Sequence, residues 1–95
     1  MARVRQRRLT VTGTMQELVP ADRNRTHFVV HNIDENNSVR VYQREDKAEG
    51  GIYIWPRQWI EWEKEDAAEE AWYVKCAAGA SIYAHVIEFF RKRGP

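Results

Sequence analysis

The side chains best suited to catalysis or metal binding are few and scattered. The chain has three histidines and one cysteine, and these are His27, His31, His85 and Cys76. On an extended strand His27 and His31 would lie about 13 Å apart, which is too far to share one metal ion. With a single thiol and no third histidine close in sequence, no zinc ligand set can be assembled. We therefore predict no metal, no cofactor and no catalytic residue, and we expect Cys76 to be a small buried side chain.

Carboxylates are concentrated in one acidic segment that follows the most aromatic part of the chain. Its members are Glu61, Glu63, Glu65, Asp66, Glu69 and Glu70. Paired carboxylates perform glycoside hydrolysis, but nothing in the surrounding sequence predicts a substrate pocket. We interpret the segment as an acidic loop in solvent, and we expect that the protein is not an enzyme.

Aromatic side chains dominate the stretch 50–62. Isoleucine and aromatic residues alternate there on both sides of Pro56, which predicts two short strands with a corner between them. If Trp62 and the three isoleucines of this stretch (Ile52, Ile54 and Ile60) point into a core, the other aromatic residues point outward and form a candidate interface. Its predicted members are Tyr53, Trp55, Arg57 and Trp59. A one-residue bulge near Pro56 would exchange the two faces and bury these rings, and that alternative stays open.

Basic residues lie mainly at the two ends, although the net charge is only +1. Residues 1–8 are interpreted as a basic N-terminal arm without regular structure, and residues 91–95 as a basic tail. The arginines of the arm are Arg3, Arg5, Arg7 and Arg8. Two interpretations remain: the ends are simply solvated, or they pair with the acidic loop of another copy or with an acidic partner.

The remaining sequence predicts short strands separated by polar turns every eight to twelve residues. The runs 27–33 and 39–43 are predicted to form an antiparallel hairpin, with Val39 and Val41 inward and Arg40 and Tyr42 outward. Residues 64–70 have the composition of one helical turn, which is too short to predict as a helix. The expected fold is all-β: a single-domain antiparallel β-sandwich over residues 9–90, jelly-roll-like or immunoglobulin-like, with seven or eight short strands.

Several of these segments follow the pattern of a known family. The N-terminal ones are Leu9-Thr-Val-Thr-Gly-Thr, Glu17-Leu-Val-Pro, Asp22-Arg-Asn-Arg, Phe28-Val-Val-His-Asn and Val39-Arg-Val-Tyr. The C-terminal ones are a Gly-Ile-x-Ile-x-Pro unit in 51–62, Trp72-Tyr-Val-Lys-Cys-Ala-Ala-Gly and Ala84-His-Val-Ile-Glu. Over about residues 9–89 the chain resembles the small β-sandwich structural proteins of tailed-bacteriophage virions. It departs from that pattern in its larger number of tryptophans and its two basic ends.

The resemblance implies a structural role in a virus particle and supplies no catalytic residue. We expect a capsid decoration or cement protein, made in the host cytoplasm and located in the virion. Its partners would be further copies of itself, with a trimer suited to local symmetry axes, and a major capsid or other virion protein. Head and tail positions in the particle remain alternatives.

The number of aromatic residues supports this expectation independently. Four Trp, four Tyr and three Phe exceed what one small sandwich buries easily, and interface cores are enriched in such residues. The alternatives are a single-stranded nucleic-acid-binding module or a carbohydrate-binding module that uses the exposed rings. Acidic residues next to the aromatic stretch argue against nucleic acid, since they would repel phosphates. No apolar run reaches the ~20 residues of a membrane helix, so we expect no membrane partner.

Overall fold

The computed structural model describes residues 3–43, 51–63 and 68–91, and within these ranges the chain forms eight strands. The strands are β1 (Arg3–Thr12), β2 (Gln16–Val19), β3 (Arg25–Asn32), β4 (Val39–Tyr42), β5 (Ile52–Ile54), β6 (Trp59–Trp62), β7 (Trp72–Lys75) and β8 (Ser81–Phe90). They form two four-stranded antiparallel sheets that pack face to face. The predicted all-β, single-domain sandwich is confirmed.

The strand order is that of a jelly roll. Sheet 1 has the order β1-β8-β3-β6 and sheet 2 the order β2-β7-β4-β5. Along the chain the pairs are nested: β1 with β8, β2 with β7, β3 with β6 and β4 with β5. An eight-stranded double sheet with these pairings matches the jelly-roll architecture, and not the four-plus-three strand arrangement of an immunoglobulin domain.

The predicted hairpin between β3 and β4 is wrong, because these two strands belong to different sheets. The side-chain amide of the buried Asn32, at the end of β3, donates to the carbonyls of Asn37 and Ile54 at 2.8 and 3.0 Å. The Asp34 carboxylate accepts the backbone N–H groups of Asn36 and Asn37 at 2.9 and 2.7 Å, and these bonds lower the pKa of Asp34. This hydrogen-bonded turn carries the chain from sheet 1 to sheet 2.

The core lies between the sheets and contains the inward residues of all eight strands. Phe28 of β3 stacks on Trp62 of β6 with ring centroids 4.7 Å apart, and Trp72 of β7 lies 5.4 Å from Trp62. Val39 and Val41 are buried, as their alternation predicts. Burying each aliphatic side chain of this size contributes about 1.5–3 kcal/mol, so the rings and valines hold the two sheets together.

The exposure of two residues in sheet 2 differs from the prediction. Tyr42 is buried, because the backbone of Gly51 lies against its ring and the Lys75 ammonium lies 5.6 Å from the ring centroid. A Cβ at position 51 would come within 2.6 Å of that ring, so the close approach requires glycine. Ile52, expected in the core, is exposed at the end of the three-residue edge strand β5.

The prediction that residues 3–8 form an arm without regular structure is wrong, because these residues form the first part of β1. They pair with β8 in continuous register from Arg3 opposite Phe90 to Arg8 opposite His85. The acidic segment is not a single loop either, since Glu61 lies within β6 and Glu63 directly after it. The remaining acidic residues and the basic tail lie partly inside and partly outside the described ranges. Glu69 and Glu70 precede β7, whereas Glu65, Asp66 and residues 92–95 lie outside the described ranges.

Candidate interaction surfaces

The predicted interface residues are exposed, but they lie on opposite faces of the sandwich. Tyr53, Trp55 and Trp59 are 43, 56 and 61% exposed, so the alternative that buries these rings is excluded. Because β5 belongs to sheet 2 and β6 to sheet 1, the inward residues Ile54 and Trp62 both point to the shared core. The residues that alternate with them therefore point away from each other. Tyr53 lies on the outer face of sheet 2, and Trp59 on the outer face of sheet 1.

The first candidate surface, called here the sheet 2 surface, combines aromatic and basic side chains. Tyr53 and Trp55 stack with ring centroids 5.4 Å apart and an interplanar angle of 14°. The Arg40 guanidinium lies 5.0 Å from the centre of the Tyr53 ring, within the range of a cation–π contact. Strand register extends this row to Lys75, which is opposite Arg40. The arrangement offers flat apolar rings beside two positive charges.

Arg57 occupies the corner that connects the two faces. The backbone N–H of Gln58 donates to the carbonyl of Trp55 at 3.0 Å, and Pro56 and Arg57 are the central residues of this turn. Arg57 has a φ of 65°, as the third residue of a type II turn does, a position that favours glycine or asparagine. Its guanidinium pairs with Glu35 at 2.8 Å, but both side chains are 70% exposed, so the pair adds little stability.

The second candidate surface is the outer face of sheet 1, called here the sheet 1 surface, and its residues form cross-strand rows. One row contains Arg8, His85, His31 and Trp59. The next row contains Gln6, Ile87, Val29 and Glu61. A third row contains Val4, Phe89 and His27. All three histidines of the chain thus lie on this face, and apolar residues occupy its middle.

Contacts among these side chains join aromatic and charged groups on the sheet 1 surface. The rings of His31 and His85 meet edge to face at 6.4 Å, and His27 stacks on Phe89 at 4.0 Å. Nε2 of His27 lies 3.6 Å from Oε1 of Glu61. Strand alternation could have predicted which residues point outward, but only the strand order and register show that they form these rows.

A buried charge cluster, missed at the sequence level, lies at one end of the sandwich. Arg25 and Glu88 are both fully buried, and Nη1 of Arg25 lies 3.3 Å from Oε2 of Glu88. Arg25 also donates to the carbonyls of Pro20, Ala68 and Glu70 at 2.6–2.7 Å. Burial lowers the pKa of Arg25, and the neighbouring Glu88 opposes that change.

Glu88 also binds two arginines that the sequence placed in the basic arm. Arg5 donates to Oε1 of Glu88 through Nε and Nη2 at 3.2 and 2.8 Å. Nε of Arg7 lies 3.7 Å from the same oxygen, and its Nη2 donates to the Leu18 carbonyl. Another arginine of the predicted arm, Arg3, lies over the Phe90 ring at 5.1 Å. By strand alternation Arg8 is the arginine of the predicted arm that projects onto the sheet 1 surface, where its guanidinium lies 4.6 Å from the centre of the Tyr83 ring.

The described residues show no arrangement suited to metal or thiol chemistry. Within 3–43, 51–63 and 68–91, no group of three or more histidine, cysteine or acidic side chains is placed to hold a metal ion. Cys76 is buried, its Sγ donates to the Val11 carbonyl at 3.4 Å, and burial raises the pKa of its thiol. The described part of the chain contains no helix that is long and apolar enough to span a bilayer.

Comparisons with protein-family models, with curated protein sequences and with solved structures found no match.

Proposed function

We propose that the chain is a non-enzymatic structural protein of a bacteriophage particle. In this role it is a capsid decoration or cement protein that stabilises the shell through contacts between copies and with the shell. The observation that carries the proposal is the pair of exposed aromatic surfaces on opposite faces of one sandwich. A protein with two such faces can bind two neighbours at once.

The composition of both surfaces supports protein partners. Large exposed aromatic side chains with arginine beside them are the residues most enriched at the centres of protein interfaces. Trp59 and Tyr83 stand on the sheet 1 surface, and Tyr53 and Trp55 on the sheet 2 surface. The jelly roll is also a recurrent architecture of viral capsid domains, which is an argument by analogy of fold.

A second candidate function is single-stranded nucleic-acid binding by the sheet 2 surface. Stacked rings beside Arg40 and Lys75 match the combination of aromatic platform and positive charge that such binders use. Acidic residues next to the aromatic stretch in the sequence argue against this function, since they would repel phosphates. Glu61, however, lies on the outer face of sheet 1, away from this platform.

The composition of purified particles tests the first proposal. Phage particles released by the source organism would be isolated on a density gradient and their proteins quantified by mass spectrometry. We expect this chain in a fixed ratio to the main shell protein. A chain that is abundant in cell extract and absent from the particles would overturn the proposal.

Fluorescence titration separates the alternatives that use the sheet 2 surface. Tryptophan emission would be followed while oligothymidine is added at 50 and 300 mM salt. Quenching that weakens strongly with salt would favour nucleic-acid binding, because counterion release makes such binding salt-dependent. Quenching by soluble glycans at both salt concentrations would favour a carbohydrate. The proposed structural role predicts neither result.

A further inference from the structure

We propose that the sheet 1 surface binds the same surface of a second copy, with β1 of each copy over β6 of the other. This inference deepens the proposed function, on whose premise of assembly it rests, by naming the partner of one surface. It leaves the sheet 2 surface, on the opposite face, for the shell.

Charge is distributed unequally between the two edges of sheet 1. The edge strand β1 presents Arg8 on the outer face, and the opposite edge strand β6 presents Glu61 and, directly after the strand, Glu63. One edge of the face is therefore positive and the other negative. Such a face is complementary to itself when the edges are exchanged.

The charge distribution selects one geometry among the two-fold arrangements. A two-fold axis in the plane of the interface and parallel to the strands places β1 of one copy over β6 of the other. An in-plane axis perpendicular to the strands would place β1 over β1 and β6 over β6, so that edges of like charge would meet and repel. The first arrangement is isologous, so each favourable contact occurs twice. It also keeps the strands of the two packed sheets nearly aligned, as facing sheets prefer.

Residue pairing across this interface follows from the rows of sheet 1. The row of Arg8 also contains Trp59, so this axis places Arg8 of one copy opposite Trp59 of the other, where a cation–π contact can form. Within its own chain the Arg8 guanidinium lies 4.6 Å from the centre of the Tyr83 ring, so in the dimer it would lie among aromatic rings of both copies. The Glu61 carboxylate lies one row away, within reach of a long arginine side chain. Near the axis Ile87 faces Val29, which gives the interface an apolar centre with charges at its rim.

The available area indicates a weak dimer. With strands about 4.8 Å apart and same-face residues about 6.8 Å apart, the outward positions of sheet 1 cover on the order of 400 Å² per copy. Two copies would bury less than the roughly 1,200–2,000 Å² of a standard stable interface. We therefore expect association that depends on concentration in solution. On a particle, the high local concentration of neighbouring copies would strengthen it.

Exchange of the two charges tests the interface directly. Sedimentation equilibrium would measure the dimer dissociation constant of the wild type, Arg8→Glu, Glu61→Arg and the double variant. Each single reversal should weaken association by about tenfold or more, since like charges then face each other twice. The double variant should regain an affinity within about threefold of the wild type, because the complementary pair is restored.

Glu17→Arg is the matched control, because it makes the same charge change at an exposed position of sheet 2. It should leave the dissociation constant unchanged, and thermal melts should show that every variant folds. A double variant as weak as the single ones, or a control that weakens association equally, would overturn the inference. Salt-dependent binding of oligothymidine that requires Arg8 would also overturn it.

The two proposals can fail separately. A chain that is abundant in purified particles but indifferent to the charge exchange would retain the structural role and lose the dimer. A chain that forms the charge-dependent dimer but is absent from particles would retain the interface and lose the proposed function.

Discussion

At the scale of single residues, the buried carboxylate of Glu88 organises the positive charges at one end of the sandwich. It faces Arg25 in the core and also binds Arg5 and Arg7 from β1. A carboxylate surrounded by three guanidinium groups offsets the cost of burying Arg25, whose remaining donors bind backbone carbonyls. The network connects β1, β3, β8 and the segment before β7.

Glu88→Gln should destabilise the fold strongly while preserving side-chain shape. The variant leaves Arg25 buried without its counter-charge, so we expect the free energy of unfolding to fall by about 3–5 kcal/mol. Urea denaturation followed by tryptophan fluorescence measures this change. Glu17→Gln, at an exposed position, should change it by less than about 0.5 kcal/mol. A loss below about 1 kcal/mol in Glu88→Gln would contradict the assigned role.

Cys76 should be unreactive in the native protein at neutral pH. Burial disfavours the thiolate and raises the pKa of the thiol, so the nucleophilic form is scarce below that raised pKa and increases only as pH rises through it. Ellman's reagent at pH 7.5 should react slowly with the folded chain and rapidly in 6 M guanidinium. Reaction at the same fast rate in both states would show that the thiol is accessible.

Arg57 holds a left-handed backbone conformation that costs an ordinary residue about 1–2 kcal/mol. Arg57→Asn should therefore raise the free energy of unfolding by about 0.5–1 kcal/mol, because asparagine tolerates this conformation better. Arg57→Ala is the matched control, since it also loses the pair with Glu35 but keeps the strain. Equal stabilities of the two variants, measured by thermal melting, would refute the explanation.

At the scale of elements, alternation in the sequence identified the strands but not their partners. The inward residues Val39 and Val41 follow the predicted period of two. The first half of β1 was missed because its inward residues are Arg5 and Arg7, which look like solvated charges until Glu88 is placed beside them. The sheet to which each strand belongs could not be predicted, since period-two alternation is identical in both sheets.

Removal of residues 1–8 tests whether this segment is structural. The deletion removes the part of β1 that pairs with β8 from Phe90 to His85. It also removes Arg5 and Arg7, which form ion pairs with Glu88. We expect the melting temperature to fall by more than about 10 °C, given several kcal/mol lost from a domain of this size. Circular dichroism melts measure the change. A shift of only about 1–2 °C would indicate an arm that does not stabilise the sandwich.

At the scale of the whole molecule, the jelly roll places aromatic residues that are close in sequence on opposite faces of the sandwich. Tyr53, Trp55 and Trp59 lie within seven residues of each other, and their exposure was predictable from alternation around Pro56. Their division between two faces was not, because it depends on the crossing from β5 in sheet 2 to β6 in sheet 1. The division gives the protein two surfaces of different chemistry, one basic and aromatic and the other self-complementary in charge.

The proposed function requires that copies of the chain associate through these faces. The most direct test is the mass of the wild-type chain by sedimentation equilibrium over a wide range of concentrations. We expect the average mass to rise with concentration from 11.2 kDa toward twice that value. A mass of 11.2 kDa at every concentration would contradict it.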